Sequence, residues 1–365
     1  MAFLVSILSS LAGIGGGVIF VPLYILTGNV KIKQAILLSI MTTIGNSLAR
    51  FIYYPFQKYK DNPNRYLVNW GIIRIVVPFL ANAVYIGFIL NQVLPDLVVL
   101  ILIGILMCGL IYKITKKTIF YYHQSNNEDF TTEINEINTN MCAESDSIET
   151  ANSSNLVKER WIDVLKSLAF SILAVLMVIF FSIVREGSHM ESPWLIYFWQ
   201  LVVMGLFGYL TIDHLSVIEQ LRNISNFPHI DGDIDWSNWK ISLSFAGASS
   251  FAGILAALIG IGGGLILNPT QLHFGVNPIV MVATSSVMTF FSSIMSGSQY
   301  FINNPNNFDL IHFGVFGFGF LGACLAIILA RFFGRNQKLI ILVVLDICLI
   351  ISLFIMIITN LMNIS

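Results

Sequence analysis

The stretch "ALIGIGGGLILNPTQLHFG", residues 257–275, holds four glycines within five positions (Gly260, Gly262, Gly263 and Gly264) and a proline, Pro269. Its remaining residues are apolar enough for the middle of a membrane-spanning helix. Each glycine costs about 1 kcal/mol against alanine in a helix interior, so the run predicts a helix that stops. In lipid every backbone N–H and C=O must find a partner inside the protein, because no water is there to supply one. Such a break survives only when buried in protein or facing a polar cavity.

The whole chain fits a membrane setting. It has 365 residues, 56% of them hydrophobic and 11% charged, with a mean hydropathy of +0.79. Soluble domains carry about a quarter charged residues. Apolar runs long enough to cross a hydrocarbon core of about 30 Å fall at 2–28, 34–54, 70–90, 97–114, 162–184, 194–211, 241–274, 279–302, 310–331 and 338–362. The opening "MAFLVSILSSLAGIGGG" has no basic leader and reads as the first span, not a cleaved signal. The fold class expected is an all-α polytopic membrane protein of about 9–10 transmembrane helices.

Shifting the chain by 247 positions exposes a repeat. "LAGIGGGVIFVPLYILTG" (11–28) meets "LIGIGGGLILNPTQLHFG" (258–275), pairing Pro22 with Pro269 and Gly28 with Gly275. Without gaps, Ser39 meets Ser286, Met41 meets Met288, Thr42 meets Thr289 and Tyr53 meets Tyr300. This predicts two four-helix repeats, each starting with a Gly-broken helix, an architecture typical of secondary transporters. The expected division is a first transmembrane repeat at 1–119, an acidic disordered linker at 120–160, an intervening helix pair at 161–211, a polar loop at 212–240 and a second repeat at 241–365.

In the polar loop, Asp231, Asp233 and Asp235 imitate the start of a calcium loop. Trp236 stands where that loop needs glycine and Ser242 where it needs glutamate, so no metal is expected. Lys and Arg concentrate at 58–65, 113–117, 158–160 and 331–338. Placing all four clusters in the cytosol favours nine crossings and inverted repeats, whereas span length favours ten. Net charge is −1, which suggests no nucleic-acid partner. The four cysteines show no metal-ligand or disulfide spacing.

A stopped helix restarts with free N–H groups and a partial positive charge at its N-terminus. With no side chains in the way, an anion can approach that backbone closely. Gly15, Gly16, Gly17 and Pro22 in the first copy, and Gly262, Gly263, Gly264 and Pro269 in the second, therefore read as a small-anion cradle. Glycine used only for close helix packing is the competing reading. Hydroxyls follow in the next span of each repeat: Thr284, Ser285, Ser286, Thr289 and Ser293 in the second, and Ser39 and Thr42, with Asn46, in the first. They can donate to an anion, or instead bond back to carbonyls of their own helix. Among intramembrane ionisable residues, Arg50 and Arg74 lie near span ends and read as snorkelling. His273 is a candidate for proton coupling, and Asp346, inside its span, is either a buried partner for an arginine or a proton carrier.

No nucleophile–base pair, metal cluster or phosphate loop followed by lysine is present. The expectation is a protein that is not an enzyme and needs no cofactor.

The paired GIGGG–proline motif, the second leading into "FGVNPIVMVATSSVMTFFSS", resembles the sulfite exporter TauE/SafE family of membrane permeases. The similarity continues through residues 77–117 and 299–335 and is greatest to the eukaryotic branch seen in plants and protists. It implies movement of sulfite or organosulfur anions across a membrane. By motif position it implies site roles for Gly15–Gly17, Pro22, Gly262–Gly264, Pro269 and Thr284–Ser286. The first repeat departs from the pattern, with "LLSIMTTIGN" in place of an ATSS-type run. The family also normally has more chain before the first glycine motif. The leading expectation is a secondary transporter of small sulfur-containing anions in a plasma or internal membrane. A membrane scaffold acting through its polar loops and an anion channel are the alternatives, and no oligomeric state is implied.

Overall fold

A computed structural model describes residues 2–12, 16–28, 30–58, 66–95, 161–187, 198–213 (without 204), 234, 236, 238–303 (without 261) and 309–330, with isolated positions at 98–119 and 343–354. The described elements are α1 (Ala2–Ala12), α2 (Gly17–Gly28), α3 (Ile32–Tyr53), α4 (Trp70–Val93), α5 (Trp161–Gly187), α6 (Trp239–Ile259), α7 (Gly264–His273), α8 (Pro278–Asn303) and α9 (Leu310–Ala330). Among the described residues six helices, α3, α4, α5, α6, α8 and α9, are long and apolar enough to cross a membrane. The protein is an all-α, multi-pass integral membrane protein. The expected spans at 97–114 and 338–362 lie largely outside the described residues, as do Gly15, Asp346, the acidic linker and most of the polar loop.

Local signals set the helix ends. Asn69 caps α4 by accepting from the Gly71 and Ile72 amides at 3.1 and 3.3 Å. Asn238 caps α6 through the Lys240 amide, and Asn277 accepts from Ile279 ahead of α8. These short side chains satisfy donors that have no partner inside a helix. The spans predicted at 2–28 and 241–274 are each divided. The 21-residue α6 ends at Ile259 and the 10-residue α7 begins at Gly264. In the first half the division separates α1 from the 12-residue α2. Pro22 and Pro269 each sit at the sixth position of their short helix.

Glycine also governs how the long helices pack. A Cβ on Gly87 would strike the Ile254 carbonyl, and one on Gly253 would meet Ala83 at 2.8 Å, so α4 and α6 touch backbone to backbone. A Cβ on Gly45 would strike the Phe316 carbonyl and one on Gly319 the Thr42 carbonyl, which joins α3 to α9 in the same way. Gly322 presses on Ser6 and Phe3, joining α9 to α1. Small residues permit this approach where lipid offers no hydrophobic drive for helix association. Among the described helices, α4 lies on α6 and α9 lies on α1.

α3 and α8 cross each other. Arg50 meets Ser286, Ser47 meets Ser293, and a Cβ on Gly297 would touch Ile44. Rising numbers in α3 meet falling numbers in α8, so the two helices run antiparallel.

Candidate functional site

The second break begins where α6 releases its last carbonyls. Gly260 takes a left-handed φ of +74° and Gly262 one of +72°, conformations only glycine adopts cheaply. The carbonyls stranded by the stop are collected from three directions. Asn91 Nδ2 of α4 donates to Leu258 O at 2.6 Å. Tyr300 of α8 donates to Ala257 O at 3.3 Å, and Ser39 of α3 to Gly260 O at 3.0 Å. The Gly260 amide closes back on Ala256 O. A helix end inside an apolar core is tolerable because these partners are present.

On the far side of the break α7 starts at Gly264, with Gly263 at its N-cap in ordinary helical conformation, φ −61°. The Gly263 N–H donates to Ser292 Oγ of α8 at 3.0 Å, so this first amide of the predicted cradle is engaged, not bare. Gly262, Gly263 and Gly264 are all buried.

The first break has the same character. Gly16 has φ +83°, and its carbonyl accepts from the Ile19 and Phe20 amides at 2.9 and 3.0 Å. A Cβ there would lie 2.6 Å from Ser9 Oγ. Ser39 Oγ stands 3.2 Å from Gly17 O as well as 3.0 Å from Gly260 O. One hydroxyl therefore links the two breaks, which lie 247 positions apart in sequence alignment but side by side in the fold.

The predicted hydroxyls spend their protons at home. Ser285 and Ser286 donate to Val282 O, Thr289 to Ser285 O, Ser293 to Phe290 O and Thr42 to Leu38 O. This is the back-bonding alternative weighed from the sequence. Their oxygens still accept: Thr42 pairs with the Tyr24 hydroxyl at 2.6 Å, and Thr284 Oγ1 takes the Asn69 amide at 2.9 Å. Asn46 Nδ2 ties α3 to α1 through Ser6 and Ser10.

Arg50 departs from the snorkelling expectation. Its relative exposure is 0%. Nε contacts Asn46 O at 3.4 Å and Nη1 donates to Ser286 Oγ at 2.9 Å, while Nη2 has no hydrogen-bond partner. Arg50 is the one buried Lys or Arg among the described residues, and no Asp or Glu among them is buried. Sequence reading undervalued it because span position says nothing of what surrounds a side chain. The signal was nonetheless there: Thr43, Ser47 and Arg50 recur at four and three residues, one face of α3. Gln271 of α7 was also missed. It is fully buried, and neither polar atom of its side chain has a partner.

Arg74 lies half-buried and donates to Ser167 at 2.7 Å. His273 is exposed at the end of α7, stacked edge-on to Phe274. A cleft of about 490 Å³ opens between the start of α3, the ends of α4 and α8 and the start of α9. Lys33, Gln34, Asp309 and His312 line it together with Asn91 and Tyr300. Asn91 and Tyr300 are the side chains that cap α6, so the cleft backs directly onto the second break.

Residues 1–140 match the family model described as Sulfite exporter TauE/SafE. The chain is 25% identical over 351 residues to Sulfite exporter TauE/SafE family protein 5 of Arabidopsis thaliana, covering 91% of this chain and 75% of the relative. It is 25% identical to family protein 1 of the same plant over 83% of this chain and 69% of that protein. With family protein 6 the identity is 27% over 84% of this chain and 67% of that protein. No solved structure matches the chain.

Proposed function

We propose, from a chain that resembles the sulfite exporter TauE/SafE family over most of its length, a secondary permease for small sulfur-containing anions. The observation that carries this reading is Ser39 reaching both Gly17 O and Gly260 O. Two broken helices meeting in the protein interior are what a carrier needs to expose backbone dipoles to a solute away from lipid.

Three further features support it. The matching helices α3 and α8 run antiparallel and the outer helices are exchanged between halves, consistent with inverted repeats that rock about a shared site. The N-terminus of α7, whose Gly263 amide is held by Ser292, turns the positive end of its dipole toward negative charge. The cleft over the α6 terminus, with Lys33 exposed at its edge, gives an anion a polar approach to the second break. In this reading the solute rests against α8 beside the α7 N-terminus, and opening of the halves on either side carries it across.

The test is flux into proteoliposomes holding the full chain. Uptake of labelled sulfite above protein-free vesicles, driven by a proton gradient or a membrane potential, is expected. No uptake of sulfite or of a sulfonate under any imposed gradient contradicts the reading.

A further inference from the structure

We infer that Arg50 reads the charge of the solute and that the solute crosses as a monoanion; this rests on the permease reading above and assigns the cation of that same site. The argument begins with the donors that remain unspent. At the second break the Gly263 amide is bonded to Ser292, and Ser39 serves the two glycine carbonyls. Along α8, Ser285, Ser286, Thr289, Ser292 and Ser293 all donate to their own helix. Buried side-chain atoms with donor capacity and no partner include Arg50 Nη2, Thr43 Oγ1, Ser296 Oγ and Gln271 Nε2. Arg50 alone of these carries charge.

Position agrees with chemistry. Arg50 reaches α8 at Ser286, and the N-terminus of α7 reaches it at Ser292. Six residues of helix separate the two points, about 9 Å of rise along the axis and about 120° around it, with Thr289 on the face between them. A guanidinium and a helix N-terminus thus bracket one short stretch of α8 lined with hydroxyl oxygens. Ser286 holds Nη1 at 2.9 Å and is itself anchored to Val282 O at 2.6 Å, while Nη2 is buried without a hydrogen-bond partner.

A guanidinium does not shed its proton in a protein. A buried charge without a counter-charge is costly, and no described Asp or Glu is buried to supply one. The solute supplies it. The count also limits the solute, because the repeat does not duplicate the cation: the position matching Arg50 is Gly297. One negative charge neutralises the site, whereas a dianion leaves an excess buried charge. The class of ligand is a small monoanionic oxyanion, such as a sulfonate or hydrogen sulfite, discriminated from sulfate.

The experiment measures inhibition of labelled sulfite uptake in proteoliposomes by methanesulfonate, a fixed monoanion, and by sulfate, a fixed dianion. Methanesulfonate is expected to compete about tenfold or more better than sulfate in the wild-type chain, a factor equivalent to about 1.4 kcal/mol. Arg50→Gln is expected to abolish uptake and Arg50→Lys to retain the monoanion preference at reduced rate. Equal competition by sulfate, or undiminished uptake in Arg50→Gln, overturns the inference and leaves the permease reading standing. Absence of wild-type uptake overturns the permease reading itself. Should Arg50→Gln fail to fold, the anion preference of Arg50→Lys decides: a preference kept supports the assignment, a preference lost with uptake intact overturns it.

Discussion

Asn91 donates its side-chain amide to the Leu258 carbonyl at 2.6 Å, so α4 closes the C-terminal end of α6. The contact lies 2% exposed at Asn91, where a lost donor leaves a buried carbonyl unpaired. Asn91→Leu is expected to cost about 1–3 kcal/mol, read as a lowered unfolding midpoint in detergent. An unchanged midpoint would mean that another group takes over the Leu258 carbonyl.

Glycine in α6 offers a paired test of opposite sign. Gly253 is buried against α4, with Ala83 2.8 Å from a would-be Cβ and the Leu80 carbonyl also in the way. Gly247 is exposed with nothing within 4 Å. Gly253→Ala is expected to destabilise by more than about 2 kcal/mol, since two backbones must part. Gly247→Ala is expected to be neutral or to stabilise by up to about 1 kcal/mol through helix propensity. Thermal unfolding of both variants checks the sign of each.

At the break itself conformation and space separate. Gly260 sits at φ +74° with Ile36 O 3.1 Å from a would-be Cβ, so Gly260→Ala is strained on both counts and is expected to cost about 1–2 kcal/mol from the left-handed backbone alone. Gly263 has an ordinary φ of −61°, so Gly263→Ala is expected to cost less. Equal losses at the two positions would contradict this account of the turn.

The position of the second break was legible in the residues. A cluster of Gly260, Gly262, Gly263 and Gly264 fixes a local event, and α6 stops and α7 starts within it. The matched prolines and the apolar spans were legible for the same reason, since spacing along one chain carries them. What the residues concealed was the pairing between halves. That Ser39 closes on Gly260, that Asn91 serves Leu258, and that Arg50 is enclosed rather than snorkelling depend on helices remote in sequence. The hydroxyl run misled in part: Ser286 and Thr289 share a face as expected, but their protons go to carbonyls of α8, because a serine or threonine inside a helix can bond the carbonyl four residues before it.

The cleft makes an electrostatic prediction. Lys33 is exposed at its edge, 3.4 Å from Gln92 O. Lys33→Glu is expected to slow sulfite uptake at low ionic strength, with the difference shrinking as salt approaches about 0.15 M and the Debye length falls to about 8 Å. A salt-independent difference would assign Lys33 a direct contact instead of steering.

The most direct test of the account is sulfite uptake by Gly263→Leu proteoliposomes. Backbone conformation at Gly263 admits any residue, while a side chain there enters the space between Leu80 and Ser292 beside the α7 N-terminus. The account predicts uptake at the protein-free background from a variant that still purifies folded. Wild-type uptake from that folded variant would contradict it.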